Sequence, residues 1–410
     1  METIQEFINR KEEQSQTGVL HKNNQIKRNI VAYLAINDGS TLAELSRHLH
    51  ISIPTITKLV NELVAEGIIT DNGKIETSGG RRPNFFDLAH SSLYFVGVEI
   101  ARDEMRFVLT DMKNNVVATD FDADFVLVDT PECFEQICRD IEKFIEHSNV
   151  DRNKILGIGV GIAGRVNPNT GRSYKYFTEG EQPIRQTLEE RFGIRTLIEN
   201  DSRARCFAEY TAGQSVQDEK NVLFFYSGRG VAIGIVIDGK LYYGKSGFAG
   251  EFGHTPFFDN EIICSCGKKG CLETEISGVA IEKKMVDRMK RGVSTILQKQ
   301  YDSKGAIRIN DIIAAAKNDD MLSIELIEEA GEKIGKSVAF LINIFNPELV
   351  IIGGNLAQAG DFLMLPLKAA VSKYSLGLVS NDTSFRLTKM GDNAGALGAA
   401  MLIRNKVIGL

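Results

Sequence analysis

The apolar positions of the first ninety residues repeat at helical spacing three times. In "NQIKRNIVAYLAI" (24–36), Ile26, Ile30, Tyr33 and Leu34 fall on one face. "NDGS" breaks that helix, and "TLAELSRHLH" follows with Leu42, Leu45 and Leu49 as its stripe. His50 and Ile51 then make a tight turn. Ser52 is placed to cap a third helix, and Pro54 fits its first turn, where an amide lacks a helical partner. The third helix, "IPTITKLVNELVAEG", buries Ile56, Val60, Leu63 and Val64 and stops at Gly67. Helix, short turn, helix is the pattern of a DNA-reading pair whose second member lies in the major groove. Thr55, Thr57, Lys58 and Asn61 stay on its outward face. "IITDNGKIETSGGRRPNFFDL" reads as two short strands around a wing, from which Arg81 and Arg82 can reach phosphates or a narrow minor groove.

From Tyr94 the periodicity changes. "YFVGVEIARDEMRFVLTDMKNNVVATDFDADF" predicts three strands in a meander, and a helix follows over 131–148. "KILGIGVGIAGRVN" is a buried strand running into a glycine-rich loop; a helix and a strand then lead to "LIENDSRARCFAEY". "NVLFFYSGRGVAIGIVIDGKLYYG" gives a second pair of strands, and "PELVIIGGNLAQAG" reads as strand, double glycine, helix. "GDNAGALGAAMLIRN" closes the chain as a helix of small residues. Two strand-rich halves joined by helices predict an α/β body of two lobes around a cleft. The expected divisions are 1–88 for the winged helix-turn-helix, 89–200 with the C-terminal helix 395–410 for a first lobe, and 201–394 for a second.

Composition narrows the setting. The chain has 410 residues, 43% hydrophobic and 25% charged, the profile of a globular protein of two or three domains. Its apolar runs are strand-sized, and its first twenty residues lack the apolar core of a secretory signal, so a cytoplasmic protein with no membrane partner and reduced thiols is expected. Net charge is −6, which argues against a basic nucleic-acid coat. Between Lys22 and Asp87 stand eight Lys/Arg and seven Asp/Glu, so DNA affinity needs a dimer or a well-placed cluster. Three of six cysteines fall within eight residues of "HTPFFDNEIICSCGKKGCLE" (254–273), which reads as a metal site. Cys133, Cys138 and Cys206 read as ordinary core thiols.

The winged segment, "SGGRRP", "ENDSRA", "GEFGH…CSCGKKGCLE" and "IIGGN", in that order, resemble the ROK family of bacterial repressors, open reading frames and sugar kinases, over essentially the whole chain. The resemblance is to the repressor branch. It implies an actin-like, hexokinase-like pair of lobes behind a winged helix-turn-helix. It also implies one structural zinc held by His254, Cys264, Cys266 and Cys271. Gly164, Asn200, Asp201, Glu251, His254 and Glu273 match the family's sugar contacts, with Asp201 in the place of the kinase general base. The family's phosphate loops are altered: Glu99 replaces an Asp, Ala101 and Arg102 replace glycines, and Arg229 replaces a Thr, while Gly353 and Gly354 stay near the pattern. The expected function is therefore a sugar-responsive DNA-binding regulator with no catalysis. It would meet a palindromic operator and a sugar or sugar-phosphate inducer as a homodimer or homotetramer. The alternative is an ATP-dependent sugar kinase with an added DNA-binding domain.

Overall fold

The structure is a computed structural model that describes residues 18–74, 82–212 and 219–410. Helices α1 (Gly18–Ile36), α2 (Leu42–Leu49) and α3 (Ile53–Ala65) pack with a small antiparallel sheet in the order β1 (Ser40–Thr41), β3 (Asn84–Leu88), β2 (Ile69–Lys74). The start of α2 is a capping box: the Thr41 hydroxyl accepts the Glu44 amide, and the Glu44 carboxylate accepts the Thr41 amide. That backbone amide, with the Thr41 hydroxyl, holds the Glu44 carboxyl below its ordinary range. His50 ends α2 in the left-handed region, φ 54°. Ser52 stands at the N-cap of α3, but its hydroxyl meets Thr55 Oγ1 at 2.9 Å instead of a helix amide.

In the first α/β sheet, β4 (Tyr94–Ile100), β5 (Met105–Asp111) and β6 (Val116–Asp122) form the antiparallel meander. Helix α4 (Pro131–His147) leads to β7 (Ile155–Ile162), which pairs parallel to β4. A short ribbon, β8 (Val166–Asn167) with β9 (Arg172–Ser173), and helix α5 (Ile184–Phe192) precede β10 (Thr196–Asn200) and helix α6 (Asp201–Ala212). The sheet order is β10-β7-β4-β5-β6, and every residue of β4 and β7 is buried, which is why both are apolar but for Glu99 of β4.

The second sheet has the order β13-β12-β11-β14-β15, from β11 (Val222–Ser227), β12 (Val231–Ile237), β13 (Lys240–Leu241), β14 (Leu349–Gly353) and β15 (Ser384–Leu387). It packs with helices α7 (Gly278–Lys290), α8 (Ile309–Ala316), α9 (Met321–Phe345) and α10 (Asp361–Tyr374) around one core that includes Phe225, Ile334 and Leu363. The double glycine after β14 enters a 3-10 turn, Asn355–Ala359, and not directly a helix as the pattern predicted. The reason is local. Gly354 takes φ +89° against the carbonyl of Ser227, where a Cβ would stand at 2.1 Å.

The last helix, α11 (Ala394–Ile408), returns to the first sheet. It lies so close that a Cβ on Gly97 or Gly159 would stand 1.9 Å from the carbonyl oxygens of Ala396 and Ala399. The chain divides into two compact units, one of residues up to Ala208 with Asp392–Leu410, the other Glu209–Gly391. The first crossing falls inside α6. The first half of that helix is tied to its own unit by the ion pairs Arg203–Glu199 and Arg205–Glu99. The winged helix belongs to the first unit and shares a hydrophobic core with it. Among the described residues no helix is long and apolar enough to cross a membrane.

Candidate functional site

In the first unit, β10 ends where α6 begins, and the turn between them carries Asn200 and Asp201. Asn200 Oδ1 caps α6 by accepting the Arg203 amide at 3.1 Å. Its Nδ2 donates to the Gly164 carbonyl at 2.8 Å and to Asp201 Oδ1 at 2.9 Å. Gly164 sits at φ +99°, with its Cα against the Lys175 side chain. Asp201 Oδ1 also accepts the Ser202 amide at 2.8 Å, while Oδ2 has no hydrogen-bond partner among the described residues. Gly164, Asn200 and Asp201 thus form one cluster: an amide and a carboxylate fixed in direction at a helix start.

One helical turn along α6, Arg205 makes a two-pronged ion pair with Glu99 of β4, Nε to Oε1 at 2.6 Å and Nη2 to Oε2 at 2.8 Å. Glu99 is fully buried, and burial pushes its carboxyl up to about 7 against the pull of Arg205. A Cβ on Gly395 of α11 would strike that carboxylate at 2.2 Å. Ala101 and Arg102 form the turn from β4 to β5, where the Ala101 amide donates to the Glu104 carbonyl and the Arg102 carbonyl accepts the Leu127 amide. The pattern flagged Glu99 as a replacement; the role of Arg205, 106 residues away, carried no sequence signal beyond its i+4 spacing from Asp201.

In the second unit, Glu251 precedes the single 3-10 turn Phe252–His254, so the two polar side chains emerge together, with His254 Nε2 3.9 Å from Glu251 Oε2. His254 Nδ1 faces the other way, 3.5 Å from Cys264 Sγ, and Cys266 Sγ lies 3.6 Å from Cys271 Sγ. The ligand atoms of His254, Cys264, Cys266 and Cys271 all lie within 4.8 Å of one another and can hold a metal ion. Gly267 and Gly270, at φ +84° and +72°, let the chain wrap the cluster; a Cβ on Gly270 would meet the Phe258 carbonyl at 2.2 Å. Burial and then the neighbouring Cys266 push the Cys271 thiol up to about 12.

Glu273 follows directly. Its Oε2 accepts the Val231 amide at 3.1 Å, and its Oε1 accepts the Ser265 hydroxyl at 3.3 Å. At Gly230, next to Arg229 in the turn between β11 and β12, a Cβ would stand 2.8 Å from Glu273 Oε2, so any side chain there displaces that carboxylate. The sequence placed Gly230 in the altered phosphate loop "SGRG" but gave no sign of its contact with Glu273. Glu251, His254, Glu273 and the three cysteines therefore form one continuous polar group. Cys133, Cys138 and Cys206 are buried in the first unit.

On the winged helix, Lys58 and Asn61 are exposed and Thr55 half-buried, while the Thr57 hydroxyl donates to the Ile53 carbonyl of its own helix at 2.8 Å. Arg82 is exposed; Arg81 lies outside the described residues.

The winged helix-turn-helix DNA-binding profile matches residues 23–70, and the ROK family profile matches residues 95–406. The xylose repressor of Caldicellulosiruptor bescii is 28% identical over 365 residues, 88% of this chain and 90% of that one. A glucokinase of Halalkalibacterium halodurans is 30% identical over 269 residues, 65% of this chain and 81% of that one. A crystal structure of a ROK family transcriptional regulator, a homolog of the Escherichia coli MLC protein, superposes with TM-score 0.79 at 26% identity, covering 95% of this chain and 97% of that one. With the family profile spanning the whole α/β body behind a winged helix, this chain belongs to the ROK family.

Proposed function

We propose that this protein is a sugar-responsive transcriptional regulator, a repressor released from its operator by a sugar or sugar phosphate. The observation that carries the reading is the pairing of a DNA-reading winged helix with two preserved polar clusters of the kind that bind sugar hydroxyls. Sugars present many donors and acceptors, and carboxylates with an amide take them in pairs. In this reading the contacts come from Gly164, Asn200 and Asp201 in the first unit and from Glu251, His254 and Glu273 in the second. The xylose repressor among its relatives supports a carbohydrate effector.

The metal is zinc in this reading. A tetrahedral ion with Zn–S about 2.3 Å and Zn–N about 2.0–2.1 Å needs S···S edges of about 3.8 Å and S···N edges of about 3.5 Å. Two of the six edges, at 3.6 Å and 3.5 Å, match these lengths, and all four ligand atoms lie within 4.8 Å of one another. Four protein ligands leave no open position, so the ion is structural. His254 would bind through Nδ1 and keep Nε2 for the sugar beside Glu251.

The same reading denies the protein kinase turnover. Phosphoryl transfer rests on positioning phosphates, and the Glu99–Arg205 pair, with side chains at Ala101 and Arg102 in place of loop glycines and Arg229 in place of a Thr, supports the loss of that positioning. Asp201 and the glucokinase relative favour the alternative, a sugar kinase with a DNA-binding domain. A near-neutral winged helix gains affinity by pairing across a palindrome, so we assign a homodimer or a dimer of dimers.

Two measurements test the assignment together. Selection from random duplexes should return a palindrome, and a thermal-shift screen over D-xylose, D-glucose, glucose 6-phosphate and ATP should show a response to a sugar ligand and none to ATP. Recovery of no preferred sequence would overturn the operator; stabilisation by ATP would favour the kinase.

A further inference from the structure

The core of the winged helix runs on into that of the first unit. Ile26, Ile30 and Leu34 of α1, with Ile56 and Leu63 of α3, are buried in one cluster with Phe95, Leu156 and Leu197 of the first sheet and Ile403 and Val407 of α11. Only 89–93 separate β3 from β4, which leaves no slack between the winged segment and the body.

The C-terminal end of α1, where helix carbonyls lack amide partners and the macrodipole is negative, is met by two cations from the body. Arg404 of α11 donates from Nη2 to the Ala35 carbonyl at 2.8 Å and from Nε to the Met112 carbonyl at 2.7 Å. Lys113 donates to the Asn37 carbonyl at 3.2 Å and pairs with Asp87 of β3 at 2.7 Å. Arg404 is only 3% exposed; it donates to two carbonyls and the amide oxygen of Asn405, and Asp111 is the carboxylate that acts on it. Burial pushes its guanidinium down to about 10. Sinking a charge onto carbonyl groups is costly, and a leucine or methionine would fill the same core without that cost. What the guanidinium adds is direction: its planar fork fixes one carbonyl of α1 and one of the β5–β6 turn at a set separation.

We propose that Arg404 is a positioning residue for the DNA-reading head, a buried bolt that makes the winged helix and the first unit one rigid body, so that the body sets the angle of α3 toward DNA. The proposal rests on the regulator reading above. In a dimer the mount fixes the spacing of the two recognition helices. One added base pair between half-sites turns the far one by about 35° and moves it about 3.4 Å. A rigid mount cannot follow that change; a hinged head can.

The test uses the full chain and the duplex it selects from a random library, together with versions lengthened or shortened by one base pair and a single half-site. The unmodified protein should bind the altered spacings at least about tenfold more weakly. Arg404→Met, which keeps the apolar packing, should keep half-site affinity within about threefold yet lose most of the discrimination between spacings. Arg404→Lys, able to hold one carbonyl, should lie between. A merely structural role would lower the melting temperature and leave the spacing preference unchanged, and a folded Arg404→Met with unchanged preference overturns the proposal. Hydrogen exchange on the unmodified chain is the second arm and needs neither DNA nor a stable variant. Amides of Ile30–Leu34 and Ile403–Val407 should open together with one free energy. Exchange of the α1 amides about a hundredfold faster overturns the mount even if Arg404→Met fails to fold. If the unmodified chain binds no duplex, the regulator reading fails while this arm still decides the mount.

Discussion

Gly230→Ala separates recognition from folding at the second unit's polar cluster. The added methyl would stand 2.8 Å from Glu273 Oε2, closer than any real side chain tolerates. The atom it meets is the free end of a flexible side chain, so the carboxylate retreats by about 0.6 Å to ordinary van der Waals distance, about 3.4 Å or more, and the backbone stays. That retreat stretches the 3.1 Å bond from the Val231 amide and, in the proposed reading, takes the carboxylate away from the sugar. A hydrogen bond to a charged group is worth about 1.5–3 kcal/mol, so effector affinity should fall by roughly 10- to 150-fold. Stability should change by less than about 1 kcal/mol. Gly250→Ala is the control: there the methyl would meet the Ile233 carbonyl at 2.1 Å in a residue at φ +96°, and both stability and response should be lost. Titration calorimetry with the sugar that stabilises the parent protein, beside urea unfolding of each variant, gives both numbers. Gly230→Ala with parental sugar affinity, or with the stability loss of Gly250→Ala, would refute the placement of Glu273 in the sugar site.

Three further outcomes follow from the geometry. Protein purified without chelators should carry about one zinc per chain by elemental analysis, and Cys266→Ser should lose the metal and the sugar response together, because the same loop carries Glu273. Mixed with ATP and D-glucose or D-xylose in a coupled assay, the protein should show no turnover; a rate near about 1–100 per second would contradict the reading of Glu99 and Arg205. Glu209, fully buried in α6, accepts from Arg386, Thr388 and the amides of Lys389 and Met390, so Glu209→Ala should cost about 3–5 kcal/mol in denaturant unfolding.

What the sequence disclosed was what is local in the chain. The helical period of residues 24–66 survives in α1, α2 and α3 because each buries its own stripe. The metal-ligand cluster was legible because its four candidate ligands fall within eighteen residues, whereas Asn200 and Asp201 were singled out only through the family resemblance. The hidden parts join distant residues. Glu99 finds Arg205 106 positions later, and Arg404 bridges Ala35 and Met112, 369 and 292 positions earlier. Periodicity carries no trace of such partners, since a charged residue on an apolar helix face reads only as an interruption. The glycines of β4 and β7 were equally mute: they read as strand glycines until α11 is seen lying on them.

The central claim is that sugar, held at the carboxylates described above, drives the protein off its operator. The direct measurement is affinity for the selected duplex at fixed salt, with and without the stabilising sugar, in the parent and in Glu251→Ala. A sugar shifts the balance only by its differential affinity for the two states, typically about 1–3 kcal/mol. The parent should therefore bind DNA roughly 5- to 150-fold more weakly with sugar, while Glu251→Ala binds DNA normally and ignores it. A variant that responds like the parent would contradict the pocket, and a parent whose DNA binding is unchanged or tightened by sugar would contradict the switch.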